Sequence, residues 1–182
     1  MAALPLKTIY RNKVVVVPYV RLPYTDTCKN NDNVRLAIFR DTASGDWTFV
    51  TGGCKLDEDN FVSASRELRE ESRNTLVLSS MHTLFTFSFQ SSYRPKEHAA
   101  VDAKEKIKVI TTYVVYIVKL PMTDMDAYVH SYKNKGVTGK KFTETNNMAF
   151  ASIQELSTKY KMWSFMKDEI IPKVAFEFTK IF

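Results

Sequence analysis

At 182 residues the chain has the length of a single domain, expected to span 1–182 with a full hydrophobic core. Its hydrophobic share of 45% and charged share of 25% are those of a soluble globular protein, and no apolar run approaches the roughly 20 residues that cross a bilayer, which argues against a membrane-embedded chain. The net charge of +6 favours a polyanionic partner, nucleic acid among them.

Residues 14–20 and 34–40 read as β-strands, separated by a polar, turn-prone loop through Asp26, Asn30, Asn31 and Asn33. Trp47, Thr48, Phe49, Val50 and Thr51 alternate large apolar with other residues, as an extended strand does. Gly52 and Gly53 follow, and glycine lets the backbone turn sharply and approach a ligand closely. A helix begins next, with Asp59 or Asn60 able to cap it. Phe61, Ala64, Ser65 and Leu68 make its apolar stripe, so the other side is left acidic. Residues 83–90 set Phe85, Phe87 and Phe89 against Leu84, Thr86 and Ser88, a half-buried strand. Residues 91–104 form a polar loop carrying Tyr93, Arg94, Pro95 and His98. The β-branched run 107–120 is a central strand. Residues 123–133 have helical character with Thr123 as cap, and 148–151 form a short strand. Helices are expected over 153–160 and 162–171, the second ended by Pro172. Strands interleaved with helices argue a mixed α/β sheet with helices packed on it.

The two cysteines, Cys28 and Cys54, make no disulfide framework. The first residues lack the basic segment and apolar core of a secretory signal. A reducing, intracellular and cytoplasmic setting is therefore expected. Cys54 lies in the glycine loop, but no histidine is near it in sequence to activate a thiol.

The chemistry is concentrated in residues 52–71. Glu67 sits three and four positions before Glu70 and Glu71, so all three carboxylates are neighbours on one helix edge. Such like-charge pairs cost a few tenths of a kcal/mol each. Folding does not require that cost, whereas a hard divalent cation would turn the repulsion into attraction. Arg66 lies four residues before Glu70 and can pair with it. A solvated acidic face is the competing reading.

The pattern Gly52-x5-Glu58-x7-Arg66-Glu67-Leu68-x-Glu70-Glu71 resembles the signature box of the Nudix hydrolases. The box's later glycine is Arg73 here and its following aliphatic is Asn74. Because asparagine also tolerates the left-handed conformation of a helix cap, the helix would end one residue later, with Leu76 in the apolar place. The resemblance implies an α+β Nudix fold, a mixed β-sheet between helices with a loop–helix–loop motif. It further implies Mg2+ or Mn2+ as cofactor, Glu70 and Glu71 as principal ligands, Glu67 as ligand or general base, Glu58 as support, and Arg66 as the residue orienting them. Glu144 stands six residues before Phe150, ahead of a capping box at Ser152 and Glu155, and by the same resemblance could be a ligand or base. A solvent-exposed loop carboxylate is the alternative.

The activity so implied is hydrolysis of the phosphoanhydride of a nucleoside diphosphate linked to another group. Gly52, Gly53, Lys55 and Tyr93 are candidate substrate contacts. Capped RNA and free nucleotides or dinucleotides lead as substrates, with sugar nucleotides and inositol pyrophosphates behind them. Lys133, Lys135, Lys140 and Lys141 cluster near Glu144, where an RNA chain could leave, and Tyr93, Phe87 or Phe89 could stack on a base. Two other classes remain: a Nudix-fold module that binds nucleotide or RNA without turnover, and a basic RNA-binding protein whose acidic helix is incidental.

Overall fold

The computed structural model describes residues 7–23, 33–79, 83–94, 102, 107–121, 124–136 and 138–181. The expected turn residues Asp26, Asn30 and Asn31, together with Cys28, Pro95, His98 and Thr123, lie outside them.

Strand β1 (Lys7–Arg21) organises the sheet. It runs parallel to β6 (Ile107–Lys119) along nearly its whole length, from Lys7 beside Ile107 to Tyr19 beside Lys119. The other edge of β1 is shared. Its middle pairs antiparallel with β4 (Val50–Gly53), and its end pairs antiparallel with β2 (Val34–Asp41). Beyond Leu36, β2 leaves β1 and pairs instead with β3 (Trp47–Thr48) and β7 (Thr145–Ala151). The sheet therefore forks, with β4 on one prong and β2–β7 on the other. Strand β5 (Thr83–Ser91) closes the far side against β6. The 107–120 run is thus an interior strand, as its β-branched composition requires.

Alternation along β1 sorts two cores, one on each face of the sheet. Val14, Val16 and Val20 join Ala64 and Leu68 of helix α1 (Asn60–Glu71), Tyr128 and Tyr132 of α2 (Met125–Asn134) and Leu76. Val15, Val17 and Tyr19 join Val115, Ile117, Phe165, Val174 and Phe178 on the opposite face. Helix α3 (Ile153–Thr158) is opened by the expected capping box of Ser152 and Glu155.

Three expectations are corrected. Asp124, not Thr123, caps α2, accepting from the Ala127 N–H at 3.0 Å. Pro172 does not end a helix. It is the second residue of α4 (Ile171–Ile181), which continues directly from a π-turn at Met166–Ile170. There the Ile171 N–H bonds back to the Met166 carbonyl five residues away, and this wider turn immediately precedes the residue that has no N–H to give. Nor do Gly52 and Gly53 make the sharp turn: both lie within β4, and neither has a positive φ. Among the described residues, no helix is long and apolar enough to cross a membrane.

Candidate active site

Helix α1 delivers the acidic residues. Asp59 caps it, accepting from the Val62 N–H at 2.7 Å. Its carboxylates do not form a solvated face, contrary to the simple amphipathic reading. Glu67 and Glu71 are buried along with Ala64 and Leu68, because this edge of the helix turns in against β4. Gly52 is what lets it do so: a Cβ there would fall inside the Glu67 side chain. Gly53 carries no such constraint, with open space where its Cβ would be.

The helix ends where the motif's glycine would sit, not one residue later. Arg73 (φ 54°) and Asn74 (φ 57°) both adopt the left-handed conformation, and the Asn74 N–H closes back on the Arg69 carbonyl at 2.8 Å. Such a conformation costs a side-chain-bearing residue about 1–2 kcal/mol. Arg73 offsets it by donating to the Thr145 carbonyl at 2.8 Å and laying its guanidinium 4.6 Å from the Tyr132 ring centre. Leu76 fills the apolar place as expected.

Arg66 is the hub. Its Nε donates to Glu58 Oε1 at 2.9 Å, Nη1 to Glu67 Oε1 at 2.7 Å, and Nη2 to the Gly53 carbonyl at 3.0 Å, while Glu70 Oε2 lies 3.5 Å from Nη1. The guanidinium beside Glu58 holds that carboxyl down at about 2, helped by the Ser63 hydroxyl. Glu67 moves the other way. Burial raises its pKa, Arg66 opposes the rise, and Glu70 and Glu144 add to it by repulsion.

Glu71 is the most exceptional group. Its Oε1 accepts from the Thr51 N–H at 3.2 Å, on the edge of β4 away from β1. Burial pushes its pKa well above the usual carboxylate range, against that one bond, and repulsion from Glu67, Glu144 and Asp41 pushes further. Thr145 secures the backbone beneath by donating its hydroxyl to the Glu71 carbonyl at 2.6 Å. Among the described residues, neither Glu71 nor Glu144 is in an ion pair.

Of these groups, Glu71 and Thr145 line a cavity of about 530 Å³ in the fork of the sheet, together with Asp41, Asp46, Thr51, Glu144 and Trp163 among others. Glu144, at the end of a 3-10 turn (Lys140–Thr143), is exposed and lines this cavity with Glu71. The lysine group is divided. Lys141 Nζ lies 3.5 Å from Glu70 and Lys135 reaches the Asn74 carbonyl, whereas Lys133 and Lys140 are exposed. Lys55 pairs with Glu58 at 3.4 Å. Tyr93 stands behind the cavity: its hydroxyl bonds to Ser164 and its ring packs on Trp163 and Phe165. Phe87 and Phe89 stack along β5 against the opposite-face core and are not among the residues that line the fork.

Sequence reasoning missed Trp163, Asp41, Asp46 and Lys13. No spacing rule marks Trp163, which reaches the fork because the segment after α3 pairs back on Trp47. Lys13 carried a faint signal, since it alternates with Val15 and Val17 on one face of β1.

No protein-family model matches the chain, and no curated protein matches it in sequence. Solved structures do match. A C. elegans Ap4A hydrolase in a binary complex is 14% identical with a TM-score of 0.55, covering 94% of this chain and 99% of that one. The NUDIX domain of Shewanella oneidensis NrtR, complexed with ADP ribose, is 10% identical with a TM-score of 0.55, covering 93% and 88%. A MutT protein from Methanosarcina mazei is 11% identical with a TM-score of 0.54, covering 97% and 98%. This chain has the Nudix fold. The mixed sheet between helices agrees with the expected α+β class.

The donor set fits a hard divalent cation. It is all oxygen, and among the described residues Arg66 and Lys141 pair with Glu67 and Glu70 while no cation pairs with buried Glu71. Among the described residues, no three metal-ligating side chains yet close on one point. Arg66 accounts for this, drawing Glu67 and Glu70 toward itself.

Proposed function

We propose that the protein is a divalent-metal-dependent hydrolase that cleaves the phosphoanhydride of a nucleoside diphosphate linked to a second group. The observation that carries this reading is Glu71, a buried carboxylate without a cation, opening with Glu144 on a cavity walled by Trp163. The Nudix fold supports it, as do two neighbours' names, an Ap4A hydrolase and a domain complexed with ADP ribose; Ap4A and ADP ribose both contain phosphoanhydrides.

Glu70 and Glu71, with Glu67, would hold Mg2+ or Mn2+, which supplies charge neutralisation at the diphosphate and a more acidic water. Arg66 fixes the rotamers of Glu67 and Glu70 and is itself anchored by Glu58 and the Gly53 carbonyl. A general base must have a free oxygen within reach of the attacking water. Glu67 Oε1 already accepts from Arg66, whereas Glu144 lines the cavity and is exposed, which makes Glu144 the proton acceptor. The Trp163 ring offers the nucleobase a stacking surface, worth about 1–3 kcal/mol for such a contact.

Capped RNA and free nucleotides or dinucleotides fit this scheme equally, and one panel separates them. The protein is incubated with Mg2+ and capped RNA, nucleoside triphosphates, dinucleoside polyphosphates or ADP-ribose, and products are resolved by chromatography. Release of a cap nucleotide alone identifies a decapping enzyme. Turnover that survives Glu70→Gln would overturn the metal assignment. Nucleotide binding without turnover across the panel would make the protein a binding module instead.

A further inference from the structure

A second cavity, of about 540 Å³, lies at the other end of β4 and is lined by Arg11, Lys13, Gly53, Lys55, Glu58 and Tyr10 among others. Gly53 borders it just as Thr51 borders the acidic one, and strand alternation puts both on the same face. The two cavities thus border β4 at residues two apart, on either side of Gly52 along the strand. Their charges are opposite. The fork carries Asp41, Asp46, Glu71 and Glu144, and the second cavity carries Arg11, Lys13 and Lys55 against Glu58 alone.

Lys13 is the informative residue. It is half-buried, with its backbone fixed between Gly53 of β4 and Tyr113 of β6. Among the described residues it makes no ion pair, although Glu67 and Glu71 act on it at a distance. Burial and the neighbouring Arg11 lower its pKa, with Arg94 adding to that effect, so the positive charge is held there at a cost. Arg94 is itself satisfied by Asp102 at 2.6 Å. Among the described residues Arg11 is in no ion pair either, and both cations line the cavity, where an anion would stabilise them.

Building on the hydrolase reading, we propose that the Arg11–Lys13 cavity is an anion subsite for the phosphate chain beyond the cleaved bond. The substrate then lies in one direction, its base in the fork by Trp163 and its far phosphates over Lys13. Two sources share that chemistry, a polyphosphate arm and the 5′ end of a nucleic-acid strand.

The test is calorimetric and needs no turnover. Inorganic tripolyphosphate is titrated into the full chain in EDTA, and again into Lys13→Met, Arg11→Gln and Glu70→Gln variants. Loss of one charge-assisted phosphate contact should weaken binding about tenfold to a hundredfold in Lys13→Met, and similarly in Arg11→Gln. Lys13→Arg should restore it, and Glu70→Gln should leave it unchanged or tighter. Lys13→Met removes a buried charge without changing side-chain length, so a retained Tm shows that the loss is not unfolding. A 5′-phosphorylated oligoribonucleotide that competes in wild type but not in Lys13→Met assigns the subsite to a nucleic-acid strand. Competition by tripolyphosphate alone assigns it to a polyphosphate arm. Equal affinity of wild type and Lys13→Met for tripolyphosphate, or no binding to either, overturns the proposal. Failure of the hydrolase reading shows separately, as absent turnover with this binding intact.

Discussion

The two cavities along β4 are nearly equal in size, about 530 and 540 Å³, and border residues two apart on one strand. Size therefore tells nothing about their roles, and charge tells almost everything. The acidic fork gathers Glu71, from the C-terminal end of α1, with Asp41, Asp46 and Glu144 from other elements. The basic cavity is built on the N-terminal strand and gathers Arg11, Lys13 and Lys55.

The sharpest way to break this contrast is Glu71→Gln. It removes the fork's uncompensated charge while its amide oxygen can still accept from Thr51. Turnover should fall by more than the roughly 10–100-fold that an outer ligand partner is worth. Stability should change in the opposite sense. The native state holds the Glu71 proton more tightly than the unfolded chain, so stability falls as pH rises through the raised native value. Metal-free Glu71→Gln should therefore melt higher than wild type at neutral pH, and Mg2+ should raise its Tm less. Glu58 shows the reverse sign: its pKa is lowered from 4.5 to about 2, so its stabilisation is complete above 4.5 and lost as pH falls toward 2. Thermal melts between pH 2 and pH 8 check both signs. A Glu71→Gln protein that melts lower at neutral pH would contradict the uncompensated charge.

Trp163→Ala should weaken nucleotide binding by about 1–3 kcal/mol with little effect on tripolyphosphate binding. Fluorescence of wild type against a Trp47→Phe background reports the stacking directly. Gly52→Ala should act on turnover more than on fold, because the new methyl displaces the end of a side chain, not backbone. Its stability loss should stay at or below the about 1–3 kcal/mol of ordinary overpacking, measured by denaturant unfolding. Arg73→Gly is expected to be the mildest change. Relief of a left-handed conformation balances the lost bond to Thr145 and the lost stacking on Tyr132, leaving less than about 1 kcal/mol either way.

Much of the fold could be read from local pattern. The alternating Phe85, Phe87 and Phe89, the β-branched 107–120 run and the Ser152–Glu155 capping box each carry their own signal. The last helix could not be read that way, since a proline at its second position looks like a terminator unless the preceding π-turn is known. In the site, Glu67, Glu70 and Glu71 were legible as helix neighbours, but their burial was not. Helical periodicity describes one helix in water, and it cannot see β4 arriving on the acidic side.

The order of residues by itself determined that three carboxylates and an arginine share a helix edge after a glycine pair, because helical geometry depends only on spacing. Only the tertiary structure decided that Glu144 and Trp163 join Glu71 and that Lys13, among the described residues, stands without an ion pair. Those relations join residues far apart in the chain, and they depend on where β2 leaves β1 and on which edge of β4 stays open.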